Sequence, residues 1–230
     1  MSNVTVIVPA RGGSTRIPRK NIVPFNGEPM ISWPIRAALD AQGIDRVIVS
    51  SDDDEITQIA LKTGAEAPFV RPGELASDHA GTAPVIVHAI DSLGLTEDHL
   101  VMCLYPTAAV TPGLLEEAIH LARENPEHFV ISVGSHRSPL ERSLVSRSKG
   151  TMEIDDPSFL LSRTQDLPPR FFDAGKFYVA PAGLWRSRET MMSEPFIPML
   201  LPDWASVDID EPEDWPIAEA LHRIFVLEAP

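Results

Sequence analysis

Cysteine is nearly absent: Cys103 is the only one in 230 residues. That excludes an intrachain disulfide, and with it a zinc site built on several thiolates. Cys103 lies inside Leu100-Val101-Met102-Cys103-Leu104, an apolar run in which it reads as a core position. Long apolar runs are missing too. None approaches the roughly 20 residues that span a bilayer, and the short apolar stretch after the polar start lacks the h-region of a signal peptide. A cytoplasmic protein that engages no membrane is expected. Basic side chains are few, 19 Lys and Arg against 33 Asp and Glu, giving net charge −14 and a pI near 4.8. Nucleic acid is therefore not expected as a partner, because it calls for a broad basic surface. Acidic side chains, in turn, are absent from residues 1–27. This opening carries Arg11, Arg16, Arg19 and Lys20, +4 in all, which leaves −18 on residues 28–230.

What is present is an alternation of short apolar runs with amphipathic stretches, the pattern of a mostly parallel sheet flanked by helices. A chain of this length with 43% hydrophobic residues can bury one α/β core. Strands are expected at Val4–Pro9, Arg46–Ser50, 67–70, Leu100–Leu104 and 129–133. Helices are expected at 30–42, 53–62 and 84–93, and from Thr111-Pro112 to about Glu124, where threonine caps and proline occupies the first turn. Residues 134–172 break the rhythm and read as an inserted arm serving as a lid or dimer contact. Regular structure returns at 176–180 and 196–201. Val207-Asp208-Ile209-Asp210 follows as a strand, and then a helix to about Val226.

Four patches carry chemistry. The first is Ala10-Arg11-Gly12-Gly13-Ser14 through Arg19-Lys20-Asn21, directly after the first strand. Glycines let backbone approach a ligand, and arginine and lysine supply charge-assisted hydrogen bonds. It matches neither the dinucleotide fingerprint nor the Walker P-loop. Phosphates would meet the Gly12 and Gly13 amides with Arg11, Arg19 or Lys20; the plain alternative is a solvated basic turn. The second patch is Asp208 and Asp210, two carboxylates on one strand face that suit Mg²⁺ bound alongside phosphate oxygens. Asp210 alternatively caps the next helix, with Glu213 three residues on. The third runs from Arg71 to Thr82, where Arg71 and Thr82 are placed to read a base, or Asp78 or Thr82 merely caps a helix and His79 is solvated. The fourth comprises Arg163 and Lys176, partners for a substrate carboxylate, and Asp173, an acceptor for sugar hydroxyl or amide hydrogens, with surface ion pairing as the alternative.

Taken in this order, the patches resemble the cytidylyltransferases that make CMP-activated acidic sugars, from Val4 to about Ala220. The resemblance rests on Ala10-Arg11-Gly12-Gly13-Ser14, Arg16-Ile17-Pro18-Arg19-Lys20-Asn21, Arg71-Pro72 with Leu75-Ala76-Ser77-Asp78-His79, Asp173-Ala174-Gly175 with Phe177-Tyr178, and Asp208-Ile209-Asp210 with Pro212-Glu213-Asp214-Trp215. The second and fourth of these are similar to the branch acting on pseudaminic acid. The resemblance implies a Rossmann-like, mostly parallel sheet of the nucleotide-diphosphosugar-transferase type in one domain, 1–230. It also implies CTP and an acidic nine-carbon sugar as partners, Mg²⁺ as cofactor, and a homodimer formed through the arm. Arg11, Lys20, Asp208 and Asp210 are the implied catalytic set, with the metal on the two aspartates. Ala10, Gly12, Gly13, Asn21, Arg71, Gly81 and Thr82 join Arg11 and Lys20 around the nucleotide. Tyr105, Arg163, Gln165, Asp173, Lys176 and Phe177 are assigned to the sugar. Thr15 departs from the family's usual lysine, and Lys176 from its usual glutamine. The implied activity is CMP transfer to pseudaminic acid. The alternatives are transfer to legionaminic acid, N-acetylneuraminic acid or Kdo, or a non-catalytic nucleotide-binding relative.

Overall fold

A computed structural model of the chain describes residues 3–14, 16–77 and 80–228, the side chain of Lys149 excepted. Thr15, Asp78 and His79, singled out in the sequence, lie outside the described residues. The strands are β1 (Val4–Pro9), the short β2 (Pro24–Phe25) and β3 (Glu28–Pro29), β4 (Arg46–Ser50), β5 (Leu100–Leu104), β6 (Val130–Ser135), β7 (Leu144–Ser146), β8 (Met152–Ile154), β9 (Phe171–Pro181) and β10 (Ile197–Leu200). The α-helices are α1 (Ser32–Asp40), α2 (Asp54–Thr63), α3 (Thr82–Ser92), α4 (Pro112–Glu124), α5 (Ala182–Ser187) and α6 (Asp214–His222).

Six strands form one sheet in the order β10-β6-β9-β5-β1-β4. β1 pairs parallel with β4 and β5, and β10 parallel with β6, whereas β9 runs antiparallel to both β5 and β6. Side chains alternate across the strands, as period two demands. Val4, Val6 and Val8 face a core shared with α1, α2 and α4, while Ile7 joins Cys103, Tyr178 and Trp185 under α3 and α5. The sheet is therefore covered on both sides, which is why its strands read as continuous apolar runs.

Local signals set most element ends. Asp53 caps α2 by accepting from the N–H groups of Glu55 and Ile56, and Thr111 caps α4 at Leu114. The expected strand at 67–70 does not form. Only Glu66 bridges to Ile48, and Pro68, with no N–H to donate, lets the chain leave the sheet edge. Residues 207–210 are likewise coil rather than strand. The segment 134–172 holds the hairpin β7–β8 among short 3₁₀ turns, its two ends absorbed into β6 and β9.

β9 is irregular where it matters. Its register on β6 passes from Tyr178 opposite Ile131 to Asp173 opposite Val133, so β9 carries surplus residues there. Gly175 turns the bulge at φ 60°, a left-handed conformation natural to glycine. The Ser132 hydroxyl oxygen fills the gap, accepting from the N–H groups of Lys176 (3.0 Å) and Phe177 (3.2 Å).

Candidate active site

A cleft of about 570 Å³ opens beyond the carboxyl ends of β1 and β5, where open α/β sheets place their ligands. Arg11, Lys20 and Asn21 line it after β1; Arg71 and Thr82 line it from the loop before α3 and from the helix start. Tyr105 enters from the end of β5, Asp173 and Tyr178 from β9, and Asp208 and Asp210 from the far segment. The cleft thus unites the basic opening with an acidic pair almost the whole chain away.

The basic loop is rigid in places. Asn21 donates to the Arg11 carbonyl at 3.0 Å, and the Gly12 N–H donates to Asp52 at 3.1 Å. A Cβ on Gly12 would lie 2.7 Å from Asp53 Oδ2, so the carboxylate-bearing turn before α2 leaves room for glycine alone. Gly13 is open to solvent. Ala10 is fully buried, its N–H spent on the Ser50 carbonyl. Arg19, in the left-handed region at φ 55°, turns its guanidinium to Asp53 and Glu55 and away from the cleft. Of the three cations offered by sequence, Arg11 and Lys20 line the cleft and Arg19 does not.

Residues 207–210 are located from beneath. Ile209 is buried in a satellite core with Phe25, Met30 and Ala218, while Asp208 and Asp210 on either side remain exposed or half-exposed. Lys20 Nζ donates to the Ile209 carbonyl. Burial holds the Lys20 ammonium below the ordinary lysine value, against the opposing pull of Asp208 and then Asp210. Arg16 Nη2 pairs with Asp210 Oδ1 at 2.7 Å. Asp210 does not cap α6: the N-cap position is Glu213, whose side chain makes no cap bond, and the Asp214 carboxylate instead accepts from the N–H groups of Asp210 and Glu211 in the turn before the helix. The donor set is two carboxylates, and among the described residues there is no cluster of three or more potential metal ligands. Such a pair fits a hard divalent ion that completes its shell with phosphate oxygens and water.

Arg71 is 4% exposed, its guanidinium on the Ser50 hydroxyl and carbonyl. Burial lowers its pKa, with Asp52 acting in the opposite sense. Thr82 is the first residue of α3 rather than its cap; Gly81 precedes it, exposed and off the cleft wall. The Thr82 hydroxyl bonds the Tyr105 phenol, and the Tyr178 phenol donates to Asp173 Oδ2 at 2.6 Å. Burial pushes both phenols up, so each stays protonated.

Four residues assigned to the sugar stand elsewhere. Phe177 is fully buried in the core under α4, and Lys176, 1% exposed, is also off the cleft wall. A side chain enclosed on all sides meets no substrate. Burial, offset chiefly by Asp208, lowers the Lys176 pKa to about 8. Arg163 pairs with Asp166 at 2.8 Å on an exposed turn of the arm, and Gln165 shares that turn; neither lines the cleft. Sequence reasoning left out Arg16 and Tyr178. The Arg16–Asp210 pairing carries no local signal, but Tyr178 sits in the same motif as Asp173 and was within reach.

The fold is one found in nucleotidyltransferases. It superposes on a solved CMP:2-keto-3-deoxy-manno-octonic acid synthetase in complex with CTP with a TM-score of 0.69, at 18% identity and covering 96% of this chain and 98% of that one. Residues 5–201 match the family model for cytidylyltransferases. The chain is 36% identical over 222 residues to the pseudaminic acid cytidylyltransferase of Campylobacter jejuni, covering 95% of each. It is 30% identical over 235 residues to the CMP-N,N'-diacetyllegionaminic acid synthase of Legionella pneumophila, covering 96% of this chain and 97% of that one. The chain belongs to the cytidylyltransferase family.

Proposed function

We propose that the protein transfers CMP from CTP to the anomeric hydroxyl of pseudaminic acid, releasing pyrophosphate, as a cytoplasmic Mg²⁺-dependent homodimer. The observation that carries the reading is the single cleft in which Arg11 and Lys20 meet Asp208 and Asp210. The choice of sugar follows the Campylobacter relative.

In the reaction the sugar oxygen forms a bond to the α-phosphorus, the bond from that phosphorus to the β-bridging oxygen breaks, and the hydroxyl proton passes to water. Arg11 and Lys20 offset charge on the triphosphate and the departing pyrophosphate, work that is largely positioning and electrostatics. To do so Lys20 exchanges the Ile209 carbonyl for phosphate oxygen, and Arg16 yields Asp210. Asp208 and Asp210 would hold a Mg²⁺ ion, which would neutralise phosphate charge and acidify the attacking hydroxyl. Ala10, Gly12, Gly13 and Asn21 shape the loop around the phosphates. Arg71 and Thr82 flank the cytidine, while Tyr105, Asp173 and Tyr178 face the sugar. Exposed Leu144, Met152, Leu160 and Leu161 on the arm support its role in dimerisation.

The deciding experiment supplies CTP, Mg²⁺ and one sugar at a time: pseudaminic, legionaminic or N-acetylneuraminic acid, or Kdo. Pyrophosphate release should favour pseudaminic acid by tenfold or more in kcat/KM. Turnover of another sugar with none of this one overturns the substrate assignment, with legionaminic acid next in line through the Legionella relative. CTP binding without pyrophosphate from any sugar marks a non-catalytic relative.

A further inference from the structure

Residues 207–210 have no strand partner, yet the reading above requires them to present two carboxylates in a set direction. Three contacts locate them. Ile209 is buried in the satellite core, Lys20 Nζ holds the Ile209 carbonyl, and Lys176 Nζ holds the Val207 carbonyl at 2.6 Å. The same Lys176 ammonium lies 3.8 Å from Asp208 Oδ1.

Lys176 differs from Lys20 in being walled off from the cleft, at 1% exposure. A buried ammonium is tolerated only where acceptors or opposite charge meet it, and both its hydrogen-bond acceptor, the Val207 carbonyl, and its ion-pair partner, Asp208, belong to the carboxylate segment. Its own backbone is fixed from two sides. The Lys176 N–H donates to the Ser132 hydroxyl at 3.0 Å, and the Lys176 carbonyl accepts from the Tyr105 N–H at 2.9 Å. The bulge in β9 thus carries a cation on rigid sheet to a segment with no ladder of its own. Groups that touch a metal need such support from behind to keep their aim.

We propose that Lys176 is a positioning residue: from beneath the cleft it fixes Val207 and Asp208, and so sets how well the Asp208–Asp210 pair holds a divalent ion with CTP. This rests on the assignment of those aspartates to the metal.

The test is Mn²⁺ binding in the presence of CTP and the absence of sugar, followed by electron paramagnetic resonance, for wild type, Lys176→Met, Lys176→Gln, Asp208→Asn and the Lys176→Met/Asp208→Asn double variant. Methionine keeps the length without donor or charge; glutamine keeps a donor on a shorter, neutral chain. Mn²⁺ Kd should rise about tenfold in Lys176→Met and about threefold in Lys176→Gln. In the Asp208→Asn background, Lys176→Met should add less than twofold, because residues acting as a unit are non-additive. Melting curves identify which variants are folded, and whichever lysine variant is folded decides. An unchanged Kd in that variant, with Asp208→Asn weakened, overturns the positioning role alone, as does a full tenfold increment on top of Asp208→Asn. An Asp208→Asn protein that binds Mn²⁺ like wild type overturns both this proposal and the metal assignment.

Discussion

The ion pair between Arg16 and Asp210 is more than half exposed on the arginine side and 48% exposed on the aspartate, so it contributes only about 0–1 kcal/mol to stability. That separates two roles for Asp210. Asp210→Ala should lower turnover at least about a hundredfold, on the scale of losing one electrostatic stabiliser, while the melting temperature stays near wild type. A marked stability loss with near-normal turnover would refute the metal role. His222 behaves in the opposite way. It is 2% exposed between Phe25 and Trp33, its Nε2 bonded to no described residue, and burial pushes its pKa down to about 4. The unfolded chain binds that proton near pH 6.5, so between about 6.5 and 4 the unfolded state is the more protonated and stability falls as pH falls. Thermal melts from pH 7 to 4.5 should show the decline, and His222→Phe should flatten part of it. Residue types singled out Arg11, Lys20, Asp208 and Asp210, because phosphate and metal chemistry would need charge, and all four line one cleft. They misplaced Lys176 because its ammonium is held by a carbonyl 31 residues away, at Val207, which no local pattern announces.

Among the elements, the acidic segment has one apolar anchor, Ile209. Ile209→Ala removes a side chain from the small core of Phe25, Met30 and Ala218, a cost of about 2–5 kcal/mol where the site cannot collapse. Chemical unfolding should register that loss, and the Mg²⁺ concentration for half-maximal turnover should rise with it. The alternation Val-Asp-Ile-Asp looked like a strand for a sound reason, since period two does report one buried face. Here the buried partner is a helix and a hairpin, not a ladder, and that is a tertiary fact. β1, β4 and β5 were legible to the residue because both faces are buried and their runs are unbroken. The bulge in β9 was not. Its Gly175 turn is local, but the register slip against β6 is not written in either strand alone. Gly12→Ala tests a close approach of the same kind. With Asp53 Oδ2 2.7 Å from the new methyl, the loop must shift, and KM for CTP should rise several-fold without loss of fold.

For the whole molecule, charge and assembly are separable. The charge is a net −14 over the whole chain, while the arm presents Leu161 at 92% exposure and Met152 at 68%. Leu161→Glu should shift the protein from dimer to monomer in sedimentation; an unaltered mass would remove the arm from the interface. Pattern left the arm as either a lid or a dimer contact, because irregular chain has no period to read. One last consequence follows from the sheet order. β5 and β6 are neighbours in the chain yet are separated in the sheet by β9, and no shorter piece of the sequence can join the two halves. As the polypeptide leaves the ribosome, the edges of β5 and β6 stand open until residues 171–181 emerge and close the gap. Unpaired edges invite association with other chains. The protein's most aggregation-prone moment therefore falls late in its own synthesis, and a product truncated before β9 is left with both edges exposed.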